Sequence, residues 1–217
     1  MRISTTTLES FRLFMQPEQD WMTEADLIAT IRGEFVGNHK VWLGSAFGAV
    51  LEEPEQYRVS GGFRVQPRGC AESFDLGDDV MGPALALIDR DRTVFEAKGI
   101  GQFCGHDVVA RADQMVGTRI IETKTTLSTF DFDKYANSYQ WRFMLDIFEA
   151  ASVTYQVACL SESERNNVIE LRSFEVFTVY PYQAMRQDCE DVVRRFEEYV
   201  TVRGLVSLLD AKQQAAA

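Results

Sequence analysis

The chain has 217 residues, 46% hydrophobic and 25% charged, which is long enough for a real core and ordinary for a globular protein. Its net charge of −11 argues against a general nucleic-acid coat protein, which would need clustered Lys and Arg. No apolar run is long enough to span a membrane, and the opening lacks the basic-then-apolar pattern of a signal peptide, so an intracellular, cytoplasmic protein without membrane contact is expected.

Residues 3–14 (ISTTTLESFRLF) predict a helix capped by Ser4 or Thr5, with Leu8, Phe11 and Phe14 on one face. Asp20–Arg32 predicts a second helix with Thr23 as its cap, and Gly33–His39 a loop. Val41–Glu53 predicts a third, stopped by Pro54, whose small Gly44, Ala46, Gly48 and Ala49 let another element come close. Gln56–Gly77, broken by glycine and proline, predicts an irregular segment or a small subdomain. Asp78–Asp89 predicts a helix interrupted early by Gly82–Pro83, and Thr93–Phe103 a strand on which Glu96 either joins a polar site or flanks it.

The centre of the chain is VVARADQMVGTRIIETKTT. Val108–Met115 and Arg119–Thr126 predict two antiparallel strands around Gly117. Residues two apart in a strand share a face, so Glu122 and Lys124 project together, and Asp113 on the partner strand reaches the same spot. Beyond it, a loop with Asp131 and Asp133 leads into a helix from Lys134 to Glu149, with Trp141, Met144, Leu145 and Phe148 on its apolar face and Gln140 just ahead of them. Val153–Leu160 and Ile169–Tyr180 predict strands. Gln183–Leu209 predicts a helix that Gly204 breaks, and the tail KQQAAA predicts a frayed end. The whole reads as one domain over 1–217, with a core of about 41–180 and a C-terminal helix of about 182–210. Cys70, Cys104, Cys159 and Cys189 are far apart with no CxxC, which predicts four reduced thiols and no iron–sulfur cluster.

Asp113-x8-Glu122-x-Lys124 across a hairpin resembles the PD-(D/E)xK nuclease superfamily. Three other stretches resemble its RecB-like and phage-type exonuclease members. The opening S-x-T-x-L-x-x-F is one. The third helix is a partial G-x-x-x-H-x-x-x-E, with Gly44 in place, Gly48 where the family has a metal-binding His, and Glu52 one turn further on. Gln140 matches a glutamine motif whose tyrosine position holds Met144, leaving Tyr135 or Tyr139 to serve instead.

The resemblance implies an α+β fold with an α-β-β-β-α-β core, a central mixed sheet flanked by helices, and added N- and C-terminal helices. It implies a Mg (or Mn)-dependent DNA exonuclease of recombination, repair or replication, phage-type. Mg²⁺ takes hard oxygen ligands and few carboxylates. Asp113 and Glu122 would supply two and the Thr123 carbonyl a third, with Glu52 completing the shell or facing solvent. Lys124 would position the attacking water or a phosphate oxygen, and Gln140 would orient Lys124 or the water. DNA is the implied partner. A homo-oligomer and a single-strand annealing or replication protein are the other associations that such relatives suggest. The competing expectation is a catalytically impaired member acting as a DNA- or protein-binding module.

Overall fold

A computed structural model describes residues 1–16, 22–34, 37–163 and 168–209; the expected frayed tail and the start of the expected Asp20–Arg32 helix lie outside these. The fold is α+β, with a mixed sheet of six strands, helices against it, and a second sheet of three short strands.

The large sheet is built from β1 (Arg2–Ser4), β5 (Val94–Phe103), β6 (His106–Val116), β7 (Arg119–Thr126), β8 (Ser152–Ser163) and β9 (Val168–Val179). The small one contains β2 (Arg58–Val59), β3 (Gly62–Val65) and β4 (Phe74–Gly77), so the stretch expected to be irregular or a subdomain forms an antiparallel sheet. β5, β6 and β7 run antiparallel in sequence, β8 lies parallel to β7, and β9 returns antiparallel to β8. With α3 (His39–Glu52) before β5 and α7 (Gln140–Ile147) before β8, the order is the expected α-β-β-β-α-β, with α4 (Pro54–Tyr57), the small sheet and α5 (Asp78–Leu85) inserted after its first helix.

One feature of the pairing positions everything else. β5 occupies one edge of β6 from end to end, while two strands share the opposite edge. β1 takes 107–109, running parallel, and β7 takes only 114–116. Between them, residues 110–113 of β6 face an opening in the sheet.

The helices follow their caps. Ser4 ends β1 and caps α1 (Thr5–Phe14), its hydroxyl accepting the Thr7 N–H at 3.1 Å. Thr23 and Asp26 form a capping box at α2 (Glu24–Arg32). The single helix expected over Lys134–Glu149 is two, α6 (Phe132–Ala136) and α7. The break is stabilised locally. The Ser138 hydroxyl accepts the Gln140 N–H (3.1 Å), while the Trp141 indole and the Arg142 guanidinium donate to the carbonyls of Ala136 and Asn137 that end α6. α8 (Met185–Val202) stops where Gly204 turns left-handed (φ 67°) and Leu205 N–H reaches back to the Val200 carbonyl at 2.8 Å.

Three hydrophobic clusters hold these layers. Phe47, Phe63, Val80 and Leu160 join α3, α5 and the small sheet to β8. Leu8, Leu27, Phe103, Phe143 and Phe196 join α1, α2, α7 and α8 to the start of the central hairpin. Ile120, Met144, Val153 and Tyr155 hold α7 on the sheet. Cys70, Cys189 and Cys159 each pack in a different one of the three.

α3 can lie against β7 because Gly44 has no side chain: a Cβ there would stand 3.1 Å from the Thr125 hydroxyl. Gly44→Val is therefore expected to lower stability by about 1–3 kcal/mol through overpacking. The measurement is the denaturant midpoint at unchanged m-value, and a midpoint equal to that of the parent would show that α3 does not need this close approach.

Candidate active site

At the opening, β6 and β7 stop exchanging backbone hydrogen bonds and two carboxylates take over. Asp113 and Glu122 are the next opposed pair after Gln114 and Ile121. The Asp113 N–H donates to Glu122 Oε1 (3.1 Å), and the Thr123 N–H donates to Asp113 Oδ2 (2.9 Å). Lys124 Nζ, two residues along the same face, donates to Glu122 Oε2 at 2.7 Å and lies 3.8 Å from Asp113 Oδ2. The structure thus brings Asp113, Glu122 and Lys124 together.

A cavity of about 740 Å³ opens between α3 and this part of the sheet. Gly44, Gly48 and Glu52, spaced by four, form the stripe of α3 that lines it. Asp113, Thr123 and Lys124 line the sheet side, and Lys40 and Lys134 add two cations. Glu122 is not on the wall: it is 0% exposed, held between the Asp113 N–H and Lys124. Gln140 is not on the wall either; it sits in the first turn of α7, its N–H committed to Ser138. Tyr135 packs on Tyr155, and Tyr139 lines a different cavity. Tyr155, opposite Glu122 in register and 1% exposed, is the tyrosine whose charge would bear on Lys124.

Glu96 is a wall residue whose backbone only the structure reveals. The β5–β6 ladder skips it and Asp113, which would be its partner, and its backbone is left-handed (φ 52°), a conformation that costs a non-glycine residue about 1–3 kcal/mol. Its side chain pairs with Arg111 at 2.8 Å. Alternation along the strand gave no signal of this, because Glu96 keeps its place in the exposed set with Val94 and Lys98 and only its backbone conformation departs.

The electrostatics follow from burial. Burial pushes the Glu122 carboxyl up to about 7 from 4.5; the Lys124 ammonium opposes the rise and Asp113 adds to it. Burial works to lower the Lys124 pKa, but the Glu122 and Asp113 carboxylates outweigh it and hold the ammonium well above the ordinary lysine range. Glu52 is raised by burial, then by the charge of Glu96.

The donors facing the cavity are hard oxygens, which suit Mg²⁺ or Mn²⁺. Two buried polar atoms of its wall, Gln114 Oε1 and Thr123 Oγ1, have no hydrogen-bond partner, so a polar occupant fits there. Among the described residues no three His, Cys, Asp or Glu side chains gather closely enough to hold a metal alone. The donor set therefore fits an ion that keeps waters and takes one or two carboxylates, as Mg²⁺ does.

No family model matches the sequence, and no curated protein does. Among solved structures, the chain is similar to SSO0001 (13% identity, 89% of this chain and 75% of that one, TM-score 0.49). It is also similar to the alkaline exonuclease LHK-Exo of Laribacter hongkongensis (10% identity, 99% and 93%, TM-score 0.46) and to a phage-related exonuclease of Haemophilus somnus 129PT (11% identity, 100% and 97%, TM-score 0.45). At those identities and TM-scores the likenesses carry no assignment. Among the described residues no helix is long and apolar enough to cross a membrane.

The raised Glu122 pKa sets a pH dependence. Between about pH 4.5 and 7 the folded protein keeps a proton that the unfolded chain loses, so stability falls as pH rises through that window. His39, raised chiefly by Glu72, acts in the same direction as pH passes its own pKa. The melting temperature of metal-free protein is expected to drop between about pH 5 and about pH 7.5, and Glu122→Gln is expected to flatten the drop, leaving the His39 share. Parallel profiles for the two proteins would remove Glu122 as the responsible group.

Proposed function

We propose that the protein is a divalent-metal-dependent deoxyribonuclease that hydrolyses phosphodiester bonds from DNA ends. The observation that carries this reading is the parted hairpin. Asp113 and Glu122 stand where ladder hydrogen bonds should be, and Lys124 lies 2.7 Å from one and 3.8 Å from the other beside a cavity of about 740 Å³. A fold spends two backbone pairings and buries a charge in this way where chemistry requires it.

A bound Mg²⁺ or Mn²⁺ would supply charge neutralisation at the phosphate and a water of lowered pKa. Asp113 and Glu122, the Thr123 carbonyl and Glu52 are the groups that would hold it. Lys124 keeps its proton beside two carboxylates, so it acts as a fixed cation that orients the attacking water or a phosphate oxygen rather than as a base. Lys40 and Lys134 offer the entering backbone the local positive lining that the net charge denies it elsewhere. The burial of Glu122 away from the wall favours a second reading, a member of the fold that binds DNA without cutting it.

End-labelled linear and covalently closed circular DNA, incubated with Mg²⁺ and with Mn²⁺, separates the two readings. Digestion of the linear form alone is expected. Lys124→Ala is expected to slow cleavage by about 100-fold or more while DNA affinity changes little, and a variant cutting at the parent rate would end the proposed role of Lys124. Binding without any cutting by the parent protein would establish the second reading.

Metal and fold are linked as well. An ion that binds only the folded chain stabilises it by about 2.7 kcal/mol at a hundredfold excess over its dissociation constant. Mn²⁺ is expected to raise the melting temperature of the parent and barely that of Asp113→Asn. Gly48→His is expected to enlarge the shift, because a Cβ at Gly48 meets nothing within 4 Å and its side chain would enter the cavity. Equal shifts in parent and Asp113→Asn would place the ion elsewhere.

A further inference from the structure

A second cavity, of about 350 Å³, lies among α1, the link after α6, α7 and α8. Arg12, Arg142 and Arg195 line it, and no acidic side chain does. In a chain of net charge −11 this is a local reversal of sign. The three guanidiniums are held differently. Glu9 Oε1 accepts from Arg12 Nε (3.2 Å) and Nη2 (2.7 Å), and its Oε2 accepts the Tyr139 N–H (2.7 Å). That carboxylate is thus used in fixing Arg12 to the link. Arg142 lies 4.3 Å over the Tyr139 ring and donates from Nη1 to the Asn137 carbonyl, but its buried Nε has no partner. Arg195 is exposed and has no hydrogen bond or ion pair among the described residues. Asp146 and Asp188, which share the surroundings of Cys189 with Arg142, are engaged by Arg186 and by the Tyr182 hydroxyl.

A donor-rich cavity with no acidic side chain in its lining, offering the free Arg195 guanidinium and the N–H groups that Arg12 and Arg142 do not spend on Glu9 and Asn137, suits an oxyanion with several acceptor oxygens. Its size admits a nucleotide-sized phosphoester. We infer that this cavity binds a phosphate group of a nucleic-acid strand, either a terminal monoester or an internal diester. The two cavities share one short stretch of chain: Lys134 of α6 lines the large one, and Asn137 and Tyr139 of the link after α6 line the small one. A strand entering the large cavity can therefore set another of its phosphates here. The inference rests on the nuclease reading only for the identity of the strand.

The test uses the full chain without metal, so cleavage plays no part in the readout. Inorganic phosphate is expected to raise the melting temperature over chloride at equal ionic strength, and the shift is expected to vanish in Arg142→Gln/Arg195→Gln. Fluorescence anisotropy with 5′-phosphorylated and 5′-hydroxyl oligonucleotides then reads the strand. The double variant is expected to bind about tenfold more weakly, with a salt slope smaller by about 1 to 2. A loss confined to the phosphorylated oligonucleotide assigns a terminal phosphate, and an equal loss on both assigns an internal one. Arg195→Gln alone, at an exposed position, gives a smaller loss in the same sense and guards against misfolding of the double variant. Phosphate shifts and affinities equal to those of the parent in both variants would overturn the inference. Absence of Mg²⁺-dependent cleavage beside an intact phosphate response would sink the nuclease reading alone.

Discussion

The central constraint is a shared strand edge. β6 cannot pair with both β1 and β7 along its whole length, so each takes one end and the middle stays open. An unmet backbone N–H inside a protein costs about as much as a lost hydrogen bond, and here carboxylates meet two of them. Asp113 and Glu122 therefore hold the opening in shape whether or not anything is bound. The same hydrogen bonds fix the direction of both carboxylates, and Lys124 completes the arrangement by compensating a charge that would otherwise be buried alone.

Around that opening the fold trades stability for access. α3 presents glycine at position 48, where most residues would favour the helix more and a Cβ would meet nothing, and the space left belongs to the cavity. Glu52 and Glu96 face it with little to neutralise them beyond Arg111, and Glu96 does so from a left-handed backbone. An unpacked glycine in a helix, crowded acids and a strained residue on one cavity wall are features that a fold optimised for stability alone would lose.

Charge is distributed with the same logic. A net charge of −11 repels nucleic acid at long range, yet the screening length at physiological salt is only about 8 Å, so what a strand feels at contact is the local lining. Lys40, Lys124 and Lys134 supply it at the large cavity, and three arginines supply it at the small one. Composition thus describes the surface as a whole and misses both cavities.

What the sequence by itself determined is what one strand or one turn of helix can encode. The period of two put Glu122 and Lys124 on one face, Gly117 turned the hairpin, Ser4 and Thr23 capped their helices, and Gly204 ended the last one. Tertiary structure decided the rest. β1 is three residues long, too short to show a period, and exists because β6 has a free edge over 107–109. The apolar spacing of Trp141, Met144 and Phe148 lies wholly after the break at 137–139, so it carried no sign of the division into two helices or of Gln140 opening the second of them outside the cavity wall. Glu96 and Tyr155 became neighbours of the site through strand register, and Arg12, Arg142 and Arg195 met from three separate helices. Local periodicity says which way a side chain points from its own element. Which other side chains it meets is set by packing between segments more than a hundred residues apart, and no window along the chain contains that information.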